Sequence, residues 1–248
     1  MIQFFSPDIL TTGTLTPEDS RHCSKVLRHR AGDEISVIDG SGRRYRCRIL
    51  DPDPRCTQVE IIDAETIPPH WGVDITLAVA PTKNMDRMEW MVEKSVEIGV
   101  NRIVPLLCEH SERKVVKPER LVNIAVSAMK QSLKTTLPEV APLSRYGDFI
   151  KSTHQRLGEN PSLQCFMGYC DKNYPLLRLA DEYHAGSDVV IMIGPEGDFS
   201  PEEVNKAVEC GFRPVTFGNS RLRTETAAIS ALDTIHILNM IADSRQTK

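Results

Sequence analysis

The sequence predicts an α/β protein in two parts: a small N-terminal β-barrel over residues 1–70 and a mostly parallel-sheet domain over 73–248. Three observations carry that reading. Residues up to about 70 read mostly as strands with period-two alternation, whereas strand-like and helix-like runs alternate beyond it. Between the two stretches, Ile67-Pro68-Pro69-His70-Trp71-Gly72 interrupts both periods and reads as a linker, with Trp71 expected to pack one part on the other. A chain of 248 residues is also long enough to bury two cores.

In the first part, a helix is expected over 16–30, with Thr16 as N-cap, Pro17 at the first helical position and Gly32 beyond its end. Residues 34–39 and 43–50 alternate on either side of Gly40-Ser41-Gly42 and predict a hairpin, with 58–62 as a third strand. In the second part, strands are expected at 73–80, 102–107, 164–167, 189–193 and 214–217. Helices are expected at 86–98, stopped by Gly99, and at 118–132, 201–210 and 224–241. Met85, Met88 and Met91 read as core fillers, and His110 and His154 stand isolated with no expected role. Ligands of such sheets bind at the carboxyl ends of the strands.

Bulk composition narrows the function classes. Hydrophobic residues at 40% and charged residues at 26% are ordinary for a soluble globular protein. No run approaches the roughly 20 apolar residues of a membrane span, and the N-terminus lacks the pattern of a signal peptide, so a cytoplasmic protein without membrane contact is expected. Seven scattered cysteines without a C-x-x-C pair predict reduced thiols and no metal site. The net charge of −4 hides a local excess: residues 20–48 hold eight Lys/Arg against three acids, a balance of +5. Such a segment reads either as a footprint for a polyanion or as a solvated basic face.

Two strand-to-helix corners stand out. After 189–193 comes Gly194-Pro195-Glu196-Gly197, followed by Ser200-Pro201-Glu202-Glu203, a capping box with proline at the first helical position. The glycines allow a sharp bend and close approach of a ligand. Neither phosphate-binding glycine signature is present, and Glu196 and Asp198 would repel phosphate. This corner therefore suits a ligand that is not anionic where it meets the loop, or it is only a tight connection. The second corner, residues 217–226, packs Gly218, Arg221, Arg223, Thr224, Glu225 and Thr226 between a strand and a helix. Both corners are expected at one edge, on strands taken to be neighbours.

These corners, Gly194-Pro195-Glu196-Gly197 and Leu222-Arg223-Thr224-Glu225-Thr226-Ala227, occur together with Asp86-Arg87-Met88-Glu89-Trp90. Residues 22–28, Gly32-Asp33-Glu34 and Asp39-Gly40 complete the set in the first part. Together they resemble the motifs of the bacterial 16S ribosomal RNA uridine-N3 methyltransferases, the RsmE type of the SPOUT class. The resemblance covers nearly the whole chain. It implies a PUA-like RNA-binding barrel followed by a SPOUT domain whose C-terminal part is threaded as a trefoil knot, acting as a homodimer. It also implies S-adenosylmethionine as cofactor, held by Met167, Gly194, Pro195, Glu196, Gly197, Phe217, Gly218, Asn219, Leu222, Arg223 and Thr224.

The implied reaction is methylation of N3 of a uridine in 16S ribosomal RNA, free or within the small subunit; the alternative is a non-catalytic RNA-binding assembly factor on the same fold. Arg223 is the candidate to stabilise the imide anion of the base, with Glu196 or Glu225 orienting groups or relaying the proton. Arg21, Lys25, Arg28, Arg43, Arg44 and Arg46 are the candidates for RNA binding, with Gln131 and Lys134. Two places depart from the family pattern. A second glycine after the G-P-E-G run is replaced by Asp198, and Q-S-G-R is replaced by Gln131-Ser132-Leu133-Lys134.

Overall fold

A computed structural model describes residues 2–69, 72–171, 174, 175 and 177–246. The linker's His70 and Trp71 lie outside them. By internal contacts the chain forms two compact units, Met1–His70 with Val126–Leu137, and Trp71–Ala125 with Pro138–Lys248.

The first unit runs β1 (Gln3–Phe5), α1 (Ile9–Thr12), α2 (Pro17–Arg21), a π-helical turn (His22–Val26), β2 (Glu34–Ile38), β3 (Arg43–Asp51) and β4 (Gln58–Thr66). The strands are ordered β1-β2-β3-β4, with β1 parallel to β2 and the remaining pairs antiparallel. An isolated bridge from Thr14 to Gln58 ties β4 back to the segment after α1. Period two explains the core: Tyr45, Cys47 and Ile49 of β3 point inward onto Phe4, Ile9, Cys23 and Val37. Burial pushes the Cys23 and Cys47 thiols up to about 11, so both are inert packing groups.

Thr16 does cap the helix, its hydroxyl accepting the Asp19 N–H at 3.3 Å. The helix does not reach residue 30. It widens into the π turn, and Arg28 takes a left-handed backbone at φ 59°. That path sets the edges of both His22 and His29 against the Phe4 ring, each with centroids 6.2 Å apart.

Residues 126–137 belong to this first unit, which local periodicity did not foresee. Thr136 bridges Gly40 and Ser41, and the Leu137 N–H donates to the Gly40 carbonyl at 2.9 Å. Lys130 pairs with buried Asp19, whose second oxygen accepts the Phe5 N–H at 2.6 Å. A buried ion pair forms only where the fold has already brought its partners together, so no sequence pattern announces it.

The second unit contains β5 (Ile75–Val79), α3 (Met85–Ile98), β6 (Arg102–Leu107), the first turns of α4 (Pro118–Gln131), β7 (Glu139–Val140), β8 (Ser144–Arg145), α5 (Tyr146–Glu159) and β9 (Gln164–Gly168). It continues through β10 (Leu177–Arg178), α6 (Leu179–Glu182), β11 (Val189–Ile193), α7 (Pro201–Glu209), β12 (Arg213–Thr216) and α8 (Thr224–Gln246). The sheet order is β10-β12-β9-β11-β5-β6-β7, with β8 also on β6, and every pair is parallel. All five residues of β5 and of β11 are buried, as strands covered on both faces require.

Helix α5 was not foreseen. Gly147, Gly158, Ser152 and Thr153 weaken its local signal, and it is held by packing Tyr146, Phe149 and Ile150 into the core. The capping box of α7 forms as expected, with Ser200 Oγ accepting the Glu203 N–H and Glu203 Oε2 accepting the Ser200 N–H. Among the described residues no helix is long and apolar enough to cross a membrane.

Candidate active site

The strand carrying the first corner, β11, does not touch β12, which carries the second. Strand β9 lies between them. Three adjacent strand exits, not two, therefore open at one edge of the sheet. They enclose a cavity of about 340 Å³ lined by Gly168–Cys170 after β9, by Ile193–Glu196 and Asp198 after β11, and by Thr216, Phe217 and Ser220–Thr224 with Ala227 after β12.

Thr224 joins the two glycine corners. Its buried hydroxyl donates to the Gly194 carbonyl at 3.1 Å, so the start of α8 is locked onto the turn after β11. At Gly194 a Cβ would sit 3.0 Å from the Phe199 ring, and at Gly168 a Cβ would sit 2.7 Å from the Phe217 ring. Gly168 therefore leaves no room for a side chain unless the Phe217 ring moves, and at Gly194 the Phe199 ring would have to give by a few tenths of an ångström. Gly218 is required for another reason: its φ of 137° lies in a region that L side chains rarely adopt.

The carboxylates have separate duties. Glu196 is exposed on the cavity wall, and its Oε1 accepts the Lys83 N–H at 3.0 Å from the loop after β5. Asp198 takes a left-handed backbone at φ 63°, the conformation that glycine would supply at no cost, and aspartate is among the few other residues that tolerate it. Burial raises the Asp198 carboxyl above its ordinary range, against the lowering effect of N–H bonds from Phe199 and Cys170. Glu225 is not on the wall. It is 11% exposed and faces Arg87 of α3 at 3.7 Å.

Of the expected cofactor residues, Gly194, Pro195, Glu196, Phe217, Leu222, Arg223 and Thr224 line the cavity. Met167 is wholly buried in the sheet core, Gly197 backs onto His110, and Gly218 and Asn219 shape the turn after β12 without lining the cavity. Sequence reasoning missed the whole exit of β9. Gly168-Tyr169-Cys170 carries no motif, and only the strand order could reveal it. His110 was also missed: its Nδ1 lies 3.0 Å from the Asp198 carbonyl and supports the first corner from the loop after β6.

The expected RNA-binding residues divide. Arg44, Arg46 and Arg48 stand on the outer face of β3 opposite Glu65, Asp63 and Glu60. Arg44 pairs with Glu65 at 3.4 Å, Arg46 with Glu34 at 3.5 Å, and Arg48 with Glu34 and Glu60 at 3.6 and 3.7 Å. That face thus sets three arginines against Glu34, Glu60, Asp63 and Glu65, and the basic excess counted over residues 20–48 is cancelled there. Arg43 interacts with the Tyr45 hydroxyl. Arg21, Lys25 and Arg28 are exposed on α2, the π turn and the residues after it, with no ion-pair partner among the described residues. Gln131 and Lys134 lie in the 126–137 segment of the same unit.

Glu196 and Asp198 after β11 face the cavity with Arg221 and Arg223 after β12, and residues of three loops line it. The fold and cavity thus define a parallel-sheet α/β protein with a cavity at its strand exits that presents charges of both signs. Comparison with known proteins makes the class specific. Residues 69–236 match the family model of the RNA methyltransferase domain, and residues 15–62 match that of the RNA methyltransferase PUA domain. The ribosomal RNA small subunit methyltransferase E of Synechocystis is 30% identical over 237 residues, covering 93% of this chain and 74% of that protein. A solved structure described as a probable rRNA-methyltransferase from Porphyromonas gingivalis is 41% identical, with a TM-score of 0.91 over 98% of this chain and 100% of that one. The ribosomal RNA small subunit methyltransferase E of Neisseria gonorrhoeae, solved with S-adenosyl methionine bound, is 31% identical, with a TM-score of 0.78 over 96% and 98% of the two chains. The chain belongs to the RNA methyltransferase family, in the branch of the ribosomal RNA small subunit methyltransferases E.

Proposed function

We propose that this protein methylates N3 of a uridine in the 16S ribosomal RNA of the small subunit, with S-adenosylmethionine as methyl donor. The observation that carries the reading is the Thr224–Gly194 hydrogen bond, which closes two distant corners around one cavity. The donor set fits this cofactor: neutral backbone groups, carboxylates for positive charge, and Ile193, Phe217, Leu222 and Ala227 for an apolar ring. When bound, it supplies a methyl group already activated on a sulfonium centre.

The chain's own residues then position and polarise the base. N3 lies on the pairing edge, so the uridine is unpaired when it enters. Arg223, exposed on the cavity wall, stabilises negative charge as the N3 proton leaves. Glu196 is held through one oxygen by the Lys83 amide, which leaves the other to accept that proton or orient a water. Glu225 acts by holding Arg87, and so tying α3 to the start of α8, rather than by touching substrate.

The first unit, with its boundary near residue 70, holds RNA phosphates through Arg21, Lys25 and Arg28, aided by Arg43, Gln131 and Lys134. Helix α8 exposes Ile237, Met240 and Ile241 at i, i+3 and i+4, and Trp90 of α3 is 45% exposed. An apolar stripe of this kind on a helix supports a homodimer. The proposal includes a cytoplasmic location and a knotted path through the exits of β9, β11 and β12. Mass spectrometry of ribosomal RNA from cells with and without this protein tests the function. A 3-methyluridine that disappears with the protein and returns with the wild-type chain but not with Arg223→Ala is expected. An unchanged modification pattern would reject it.

A further inference from the structure

Asp198 is fixed from four directions. Its N–H donates to the Pro195 carbonyl at 2.9 Å, and its own carbonyl lies 3.0 Å from His110 Nδ1. Oδ1 accepts the Phe199 N–H at 2.8 Å, and Oδ2 accepts the Cys170 N–H at 3.1 Å. One side chain therefore ties the exit of β9 to the exit of β11 while it lines the cavity. Its two oxygens meet neutral amides only. Among the described residues no cationic nitrogen forms an ion pair with it, and Arg221, which shares the cavity wall, stays beyond ion-pair distance. The carboxyl is half-buried and burial disfavours its ionised form; the two amides and, more weakly, Arg221 act the other way, while Asp171 adds opposing negative charge. A partly desolvated charge with no counter-ion in direct contact gains from a cation that the ligand brings.

We infer that Asp198 is a specificity-determining residue of the cavity, selecting the positively charged methyl donor over the uncharged thioether that remains after transfer. This rests on the S-adenosylmethionine reading above. The physical basis is differential: packing, hydrogen bonds and the amino-acid charges common to both ligands cancel in the ratio of their affinities, whereas attraction of a carboxylate to the sulfonium acts only on the donor. The residue thereby favours exchange of spent cofactor for fresh.

Isothermal titration of the full chain without RNA, using S-adenosylmethionine and S-adenosylhomocysteine separately, tests this. Asp198→Asn should lower the ratio of donor to product affinity by about tenfold relative to wild type. Asp198→Gly accepts φ 63° without strain, so it folds even if the asparagine variant does not; thermal melts check both. It should show the same fall in the ratio, with both ligands further weakened by loss of the Cys170 tie. Equal weakening of both ligands, or no change for either, would overturn the inference and leave Asp198 a shaping residue. A wild-type chain that binds neither ligand would instead reject the cofactor reading, and this inference with it.

Discussion

The two glycine corners and the basic segment are both clusters in the sequence, and the folded chain treats them in opposite ways. Gly194 and Thr224 are 30 residues apart and meet through a buried hydrogen bond over one cavity. The cations at 21–48 are near neighbours in sequence, yet they divide into arginines bound to carboxylates across β2, β3 and β4 and a set, Arg21, Lys25 and Arg28, on and beside the π turn with no ion-pair partner among the described residues. Distance along the chain is a poor guide to shared function. Strand register and strand order decide which charges meet.

The largest effect is expected from cutting the contact that joins the corners. Thr224→Val keeps shape but leaves the buried Gly194 carbonyl unpaired, at a cost of about 1–3 kcal/mol. Calorimetric melting should register that loss, and titration should show weaker binding of S-adenosylmethionine. Unchanged affinity would mean that the corners hold the cavity by other means.

Next come the charges. Reversal of the unpaired cations, Arg21→Glu with Lys25→Glu, should weaken RNA binding roughly tenfold or more and flatten its salt dependence, because each phosphate contact releases counterions. The same change at Arg44 and Arg46 should lower RNA affinity less and destabilise the sheet by about 0.2–1 kcal/mol for each pair lost. Equal loss of RNA affinity from the two variants, measured by filter binding across a salt series, would erase the distinction drawn between them.

A smaller effect concerns pH. Burial acts to raise the Asp39 carboxyl, but hydrogen bonds from the Ser41 amide and hydroxyl, both at 2.8 Å, and from the Tyr45 hydroxyl at 2.9 Å outweigh it and hold the group below its usual range. A depressed folded value means that the contribution is present above the unfolded carboxylate value. It is lost as pH falls through the folded one. Asp39→Asn should cost about 1 kcal/mol at neutral pH and remove that part of the acid sensitivity, seen in denaturant melts between about pH 6 and 3.

The smallest effect is expected at Leu133, which holds a left-handed backbone at φ 57° with its side chain 46% exposed. Leu133→Gly should raise the melting free energy by a few tenths to about 1 kcal/mol, relief of strain exceeding the entropy glycine adds to the unfolded chain. Of the three residues that depart from the family pattern, Asp198 and Leu133 thus occupy backbone conformations that glycine adopts freely, and Lys134 does not. Asp198 gains two hydrogen bonds in exchange, and Leu133 gains none through its side chain.

Much of the architecture was legible because its signals are local. Period two gave the hairpin, the Ser200–Glu203 capping box set the start of α7, and Gly99 at φ 121° stopped α3. The cavity was half legible: motif residues named its outer two corners, while the β9 exit between them has ordinary residues and became visible only through the sheet order. Glu225, expected to orient groups or relay a proton, stands 3.7 Å from Arg87 and outside the cavity lining, a placement that its sequence neighbours did not indicate.

The hairpin, the strongly periodic helices and the two sharp corners followed from the sequence, since propensity, capping and turn chemistry depend on residues a few positions apart. The tertiary structure alone decided the rest: that three strand exits share one cavity, that residues 126–137 pack with the first unit, and that the hairpin arginines are neutralised. Each of those outcomes is a meeting of groups far apart in the chain, and the strength of a hydrogen bond or a charge depends on what stands beside it once the backbone has folded.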